Sequence, residues 1–488
     1  MRRWRVVAAA VSAAIVAADA PRPIAAGQAA GRTASAASAI DGIVEAPITA
    51  GKVAGASISV MRRGETIVAK SYGSADLELD VPMPPDASFE IGSVTKQFTA
   101  ASILLLAERG KLSVDDDVTK HLPEYPTHGQ HVTIRHLLTH TSGIKGYTEL
   151  SEFGDLMKLK KPRETLVTLF GEKPLDFAPG EALVYNNSAY FLLGLIIEKI
   201  GGRAYADFVK ANLFDKAGMP GSYYCSESAV HRHHAHGYDT ENGTLVLKGF
   251  ISHIWPFSAG SLCSTASDLS AWLAALHGGR ILSADSYRAM TTPASLADGT
   301  KVRYGFGVGV TELGGRRAIL HGGGINGFLS EVEYFPDSGL SIVVLLNTAG
   351  PVGPADLARA IADTVLGKAP EPAVPFTGDV TAYAGTFEGV GRGRPTTVTI
   401  TADGGTLTMK GGGPPSAPPQ TLTYRGGETF GVKDTLVIFE RDGGKVTRLR
   451  LDNVFGHYPL TKKAGKSENP ELENQNPEPR TPQPRTRR

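Results

Sequence analysis

Phe89-Glu90-Ile91-Gly92-Ser93-Val94-Thr95-Lys96 leads into an apolar helical pattern, Phe98 through Leu106, and its reading decides both the fold and the chemistry of this chain. A serine three residues before a lysine, at the opening of a helix, puts both side chains on one face, about 5–6 Å apart at Cβ. A lysine in its amine form takes the serine's proton, and the helix N-terminus favours the negative charge that develops nearby. Taken alone, the same tetrad also reads as a helix N-cap serine with a surface lysine. A second S-x-x-K, Ser142-Gly143-Ile144-Lys145, is broken by Gly143 and Gly146 and has no long helical pattern carrying both residues, so it reads as a turn serine with a solvated lysine. Partners elsewhere in the chain have to decide for Ser93.

Two such partners follow in order. Tyr185-Asn186-Asn187 is the only Y-x-N of the sequence; it comes after the turn-forming Phe177-Ala178-Pro179-Gly180 and before an apolar helical stretch, Tyr190 to Ile200. A tyrosine beside a lysine serves as base or proton shuttle, and an asparagine there orients an amide or the lysine itself. A capped helix start with a core tyrosine is the plainer reading of those three residues. His321-Gly322-Gly323-Gly324 follows a strand-like run, Arg316 to Leu320. Small residues beside a strand let a substrate backbone come close, and a free N–H there holds an oxyanion. Its plainer reading is a hairpin turn with an incidental histidine.

The three elements in this order resemble the serine β-lactamase and penicillin-binding-protein superfamily, in particular its class C β-lactamase-related serine hydrolases of esterase or D-aminopeptidase type. His136-Leu137-Leu138-Thr139-His140-Thr141-Ser142-Gly143-Ile144 and Gly260-Ser261-Leu262-Cys263-Ser264-Thr265-Ala266-Ser267-Asp268-Leu269 are similar to two further segments of that group. The resemblance implies Ser93 as the acylated nucleophile, Lys96 and Tyr185 as carriers of its proton, and Asn187 as a positioner of the acyl group. His321, Gly323 and Gly324 then line the substrate side, with the N–H groups of Ser93 and Gly324 as oxyanion hole. It also implies that His321 stands where a lysine usually sits. A histidine is mostly neutral near pH 7, whereas β-lactams and peptides ending in D-alanine carry a carboxylate that a lysine would meet. The departure favours esterase, D-aminopeptidase or amide hydrolase activity. A β-lactamase or D,D-carboxypeptidase is the alternative, and a non-catalytic envelope binding protein a third reading.

Composition agrees with a secreted or periplasmic enzyme acting on a small molecule or short peptide. A net charge of +1 over 488 residues gives no reason to expect a nucleic-acid partner. Arg2, Arg3 and Arg5 before the apolar Val6–Ala18 read as an export signal over residues 1–26, with no transmembrane anchor left after its removal. Residues 27–40, rich in Ala, Gly and Ser, read as a flexible lead. The hydrolase domain is expected over 41–369, a proline-rich linker over 370–377, a lipocalin-like β-barrel module over 378–463, and a disordered tail over 464–488. Strand-like runs at both ends of the hydrolase region, with helices between, predict an α+β fold in which one antiparallel sheet is completed by the region's two ends and a helical insertion supplies the other wall of the cleft. Six short strands are expected in the barrel: Ala382–Glu388, Thr396–Thr401, Thr406–Lys410, Thr421–Arg425, Val437–Glu440 and Val446–Leu451. No cofactor and no metal are expected; the His231, His233, His234, His236 cluster reads as a polar segment entering a strand. Cys225 and Cys263 either pair or stay as buried thiols, and oligomeric state is left open.

Overall fold

The computed structural model describes residues 24–368, 375–391, 394–412 and 418–463, with side chains from Ser35 onward. The expected export signal, save its last three residues, most of the linker, and the expected tail lie outside the described residues.

The hydrolase region is built on a seven-stranded antiparallel sheet. Its strands are β1 (Gly55–Arg62), β2 (Glu65–Asp76), β3 (Val81–Pro82), β10 (Gly309–Leu313), β11 (Arg316–Ile325), β12 (Phe328–Phe335) and β13 (Leu340–Leu346), in the order β10-β11-β12-β13-β1-β2-β3. The chain's early and late strands meet at β1 and β13, with Ala56 opposite Leu346 and Arg62 opposite Leu340. Between β3 and β10 come six short strands: β4 (Ser88–Glu90), β5 (Leu183–Val184), β6 (Tyr223–Tyr224), β7 (Tyr238–Glu241), β8 (Thr244–Leu247) and β9 (Leu262–Thr265). β4, β9 and β6 form a small sheet in which Cys263 of β9 is bonded to Cys225.

Both faces of the main sheet are covered, as its near-continuous burial requires: β13 is buried at every position. One face carries the helix Ala266–His277, tied to β1 by a Ser270–Ser59 hydroxyl hydrogen bond of 2.7 Å, and beyond it the helical insertion. The other carries the helices Ile24–Thr49 and Pro354–Leu366. Residues 27–40, expected as a flexible lead, therefore lie in a helix. Its later part is anchored by Ile40 and Val44, both fully buried against the sheet, and an alanine-rich run extends such a helix at little conformational cost.

After β14 (Thr348–Ala349) and the helix Pro354–Leu366, the chain forms an eight-stranded closed barrel: β15 (Gly385–Gly391), β16 (Arg394–Asp403), β17 (Thr406–Gly411), β18 (Gln420–Gly426), β19 (Thr429–Val432), β20 (Thr435–Asp442), β21 (Lys445–Asn453) and β22 (Gly456–Lys462). Pairing of β15 with β22, Phe387 opposite Lys462, closes it around Phe387, Val398, Val437, Leu449 and Leu460. β5 adds to the outside of β22, so the barrel is stitched to the hydrolase region by a strand pair as well as by side chains.

One buried feature of the sheet titrates. Glu331 and Glu333 of β12 are both buried, and Arg359 on the overlying helix bonds Asp434 of the β19–β20 turn at 2.8 Å. Burial pushes the Glu331 carboxyl well up, with Glu333 and Asp434 adding to the rise and Arg359 opposing it. Burial likewise pushes Glu333 up to about 8, with Arg359 opposing and Asp434 adding. The folded chain therefore holds these protons more tightly than the unfolded chain. Their stabilising contribution is fully present below the ordinary carboxyl range and is lost as pH rises toward about 8. Denaturant midpoints measured from pH 5 to 9 are expected to fall across that window, and to fall less in Glu331→Gln/Glu333→Gln. An unchanged slope in the double variant would contradict this account.

Candidate active site

Ser93 sits in a single 3-10 turn, Gly92–Val94, that runs directly into the helix Thr95–Glu108. This is why an i, i+3 pair meets: Lys96 projects back over the turn that holds Ser93, and its Nζ lies 3.2 Å from Ser93 Oγ. The lysine is fully buried. Asn187 Oδ1 and the Ala259 carbonyl, each at 2.8 Å, also accept from it. As an ammonium, Lys96 donates to all three oxygens. As an amine, it keeps its donations to Asn187 and Ala259 and turns its lone pair to the Ser93 hydroxyl, so a proton can change hands without any heavy atom moving.

Asn187 opens the helix Asn187–Gly201, which Asn186 caps by accepting the Ala189 N–H at 2.9 Å. The amide orientation of Asn187 is set from both ends, since its Nδ2 donates to Thr148 Oγ1 at 3.3 Å while Oδ1 receives Lys96. The plainer sequence reading, a helix cap, is thus also true, but it belongs to Asn186 and leaves Asn187 for the site. Tyr185 is buried, with Lys96 Nζ 4.6 Å from its ring centroid. His140 packs on the same ring at 4.4 Å.

His321-Gly322-Gly323-Gly324 is not a turn after a strand. It is the second half of β11, and the turn comes at Asn326–Gly327. β10 pairs with β11 only as far as Gly309 opposite Leu320, so beyond that point the outer edge of β11 is open to the serine's turn. The approach is tight. A Cβ on Gly92 would lie 2.8 Å from the Gly324 nitrogen, at a φ of +49°, and one on Gly323 would lie 2.1 Å from the Ile91 carbonyl oxygen. Ser330 Oγ donates to that same carbonyl at 2.8 Å and ties β12 into the arrangement. Gly324 itself is exposed at the mouth.

His321 is fully buried behind this edge. Nδ1 lies 2.6 Å from the Gly322 carbonyl, which only accepts, so Nδ1 carries the hydrogen and Nε2 accepts from the Tyr304 hydroxyl at 2.9 Å. Burial, with the nearby Lys96 charge, pushes the imidazole down to about 3, and the ring is neutral at any ordinary pH. One contributor escaped the sequence reading altogether. Phe455, in the β21–β22 turn of the barrel, places its ring 5.3 Å from Tyr185 and 5.5 Å from His321. No motif marks it; only the strand pairing of β22 with β5 brings it here.

The remaining sequence features fall elsewhere. Lys145 of the second S-x-x-K pairs with Asp176 at 2.5 Å. The four clustered histidines meet protein partners: His231 stacks on Tyr223, His233 meets Asp86, His234 meets Ser88 and Tyr223, and His236 meets Asp76. Among the described residues, buried Asp76 and exposed Glu78 and His236 bring one ligand atom each within 4.8 Å of one another. A cavity of about 440 Å³ opens between the barrel and the 176–184 segment, and none of the site residues line it.

The glycine contacts generate a direct expectation. Gly323→Ala forces the β11 edge away from Ile91, and with it the Gly324 N–H away from Ser93. Reaction of Ser93 with a fluorophosphonate is expected to slow at least tenfold, since losing one oxyanion donor costs about 10²–10³ in rate. Gly42→Ala, exposed on the helix Ile24–Thr49 where a Cβ meets nothing within 4 Å, serves as control, and equal rates in both variants would contradict the reading.

The chain is similar to several known proteins. Penicillin-binding protein 4* of Bacillus subtilis is 33% identical over 301 residues, 58% of this chain and 66% of that protein. The D-aminopeptidase of Gluconobacter oxydans is 28% identical over 306 residues, 60% of this chain and 55% of that protein. The chain thus spans somewhat under two thirds of the length of these curated relatives. Among solved structures, the octameric penicillin-binding protein homologue from Pyrococcus abyssi superposes with a TM-score of 0.61 at 26% identity, over 87% of this chain and 99% of that one. A D-stereospecific amidohydrolase from Streptomyces gives 0.58 at 27% identity, over 68% and 98%. The Beta-lactamase family matches residues 40–366, well over half of the sequence, and the chain belongs to that family, whose members are serine hydrolases.

Proposed function

We propose that this protein is an exported hydrolase that cleaves an ester or amide through an acyl-enzyme on Ser93. The observation that carries the reading is the position of Lys96 Nζ, 3.2 Å from Ser93 Oγ and oriented by the Asn187 and Ala259 oxygens. Ser93 Oγ attacks the substrate carbonyl carbon as its proton passes to the Lys96 amine. The resulting oxyanion lies against the N–H groups of Ser93 and Gly324. Lys96 returns the proton, through Tyr185, to the departing alcohol or amine, and the C–O or C–N bond breaks. Water then enters by the same route and releases the acid. Asn187 holds Lys96 and presents its Nδ2 side toward the acyl group; Gly323 keeps the β11 edge close; His321 supports the Tyr304 and Tyr185 side of the site from behind.

The neutral His321 offers no fixed positive charge for a substrate carboxylate. That supports simple esters and D-amino acid amides or short peptides over penicillin-type substrates. The names of the relatives point both ways, to a D-aminopeptidase and to penicillin-binding proteins. Export is supported by the basic and apolar N-terminal sequence and by the Cys225–Cys263 bond, which persists in oxidising compartments. Among the described residues no helix is long and apolar enough to cross a membrane.

Purified protein is expected to turn over short-chain p-nitrophenyl esters or D-amino acid p-nitroanilides faster than nitrocefin. A fluorophosphonate is expected to label it at Ser93 and leave Ser93→Ala unlabelled. Lys96→Met should lower turnover by about 10²–10⁴-fold, the usual weight of a general base. Equal labelling of Ser93→Ala would end the reading, and preferred turnover of nitrocefin would move it to the penicillin-recognising alternative.

A further inference from the structure

We propose that Phe455, carried by the barrel, is a positioning residue for Tyr185, so that the last hairpin of the barrel is a working part of the active site rather than an appended module. The inference rests on the Ser93 acyl-enzyme reading.

The connection begins in the backbone. β22 adds to β5 with Gly456 opposite Val184 and His457 opposite Leu183. One step further along, the Tyr185 N–H donates to the Phe455 carbonyl at 3.2 Å, so the barrel turn fixes the main chain of the very residue assigned to proton transfer. The Phe455 ring then meets the Tyr185 ring edge-to-face, at 5.3 Å between centroids and 82° between planes. Lys96 Nζ, at 4.6 Å, and His140, at 4.4 Å, also pack on the Tyr185 ring. Phe455 thereby closes a ring of aromatic groups, and a phenol held this way neither rotates nor admits bulk water to its face.

The turn is itself held for the purpose. Asn453 Oδ1 accepts the Phe455 N–H at 2.9 Å and fixes the turn from within. Arg303 Nε donates to Asp452 Oδ2 at 2.8 Å, and its Nη2 donates to the Asp452 carbonyl at 3.1 Å. His457 meets the other Asp452 oxygen at 3.1 Å. Val454 fits against Gly309, where a Cβ would lie 2.3 Å from its Cγ1. Two adjacent residues thus do different jobs. Val454 docks the turn on the sheet, and Phe455 reaches the tyrosine.

That division supplies the test. Fluorophosphonate labelling of Ser93 and ester turnover are followed against pH in the full-length protein, in Phe455→Ala and in Val454→Ala, with thermal midpoints for all three. Phe455→Ala is expected to slow labelling and kcat at least tenfold, to displace the pH at which labelling switches on, and to change KM much less. Val454→Ala is expected to lower the thermal midpoint while keeping the native labelling rate and pH profile. Phe455→Leu, which keeps apolar bulk, should recover part of the loss, and is compared with wild type in place of Phe455→Ala should the alanine variant not fold. Native rates in the Phe455 variants overturn the proposal, as does an equal loss in Val454→Ala, which would reduce Phe455 to docking. If the wild-type protein itself is not labelled at Ser93, it is the acyl-enzyme reading that fails.

Discussion

A fully buried lysine amine is the constraint around which the rest of this structure is arranged. A polar nitrogen removed from water has to find hydrogen-bond partners or destabilise the fold. Lys96 finds Ser93 in its own turn and, from distant parts of the chain, Asn187 ninety-one residues on and Ala259 from the segment before β9. Each partner is held in turn. Asn187 is gripped by Thr148, and the neighbour of Ala259, Ser258, accepts Thr99 at its carbonyl and donates its hydroxyl to the Tyr190 carbonyl. The helical insertion and the nucleophile helix are thus locked together by the same bonds that prepare the serine. Stability and reactivity draw on one network, and damage to it is felt by both.

The second constraint is contact between backbones. Ile91–Gly92 and Gly323–Gly324 pass so close that neither Gly92 nor Gly323 has room for a Cβ. This explains why the glycines are there without any appeal to flexibility. They set the separation between the nucleophile's turn and the open edge of β11. Side chains would hold that spacing less rigidly than two main chains in van der Waals contact.

Much of this was legible because it is local. An i, i+3 pair at a helix start is a matter of helical geometry, and Tyr185-x-Asn187 announces itself as a capped helix start. The meeting of early and late strands follows from their alternation. What was not legible depends on pairing across distance. Cys225 and Cys263 are joined because β9 and β6 are neighbours, which no spacing reveals. Two barrel strands went unread. Thr429–Val432 is too short for a periodic signal. Gly456–Lys462 contains Pro459, which argues against an interior strand. The structure shows how it is accommodated: β22 pairs on its outer side with β5 at Gly456 and His457 and with β15 at Thr461 and Lys462, and Pro459 falls in the gap between them. The missed strand is the one that delivers Phe455.

His321 keeps the back of the site uncharged. A lysine at that position would place a permanent cation behind the site and within range of a substrate carboxylate. The histidine instead spends both ring nitrogens inside the protein, on Gly322 and Tyr304, and stays uncharged. The rings of Tyr185, Tyr304 and Phe455 against it are compatible with a neutral imidazole and would surround a buried ammonium with aromatic rather than acidic groups. The aromatic surroundings and the histidine therefore belong together. A lone His321→Lys substitution would strain the core rather than convert the specificity, because the environment that the histidine needs is the one a lysine cannot use.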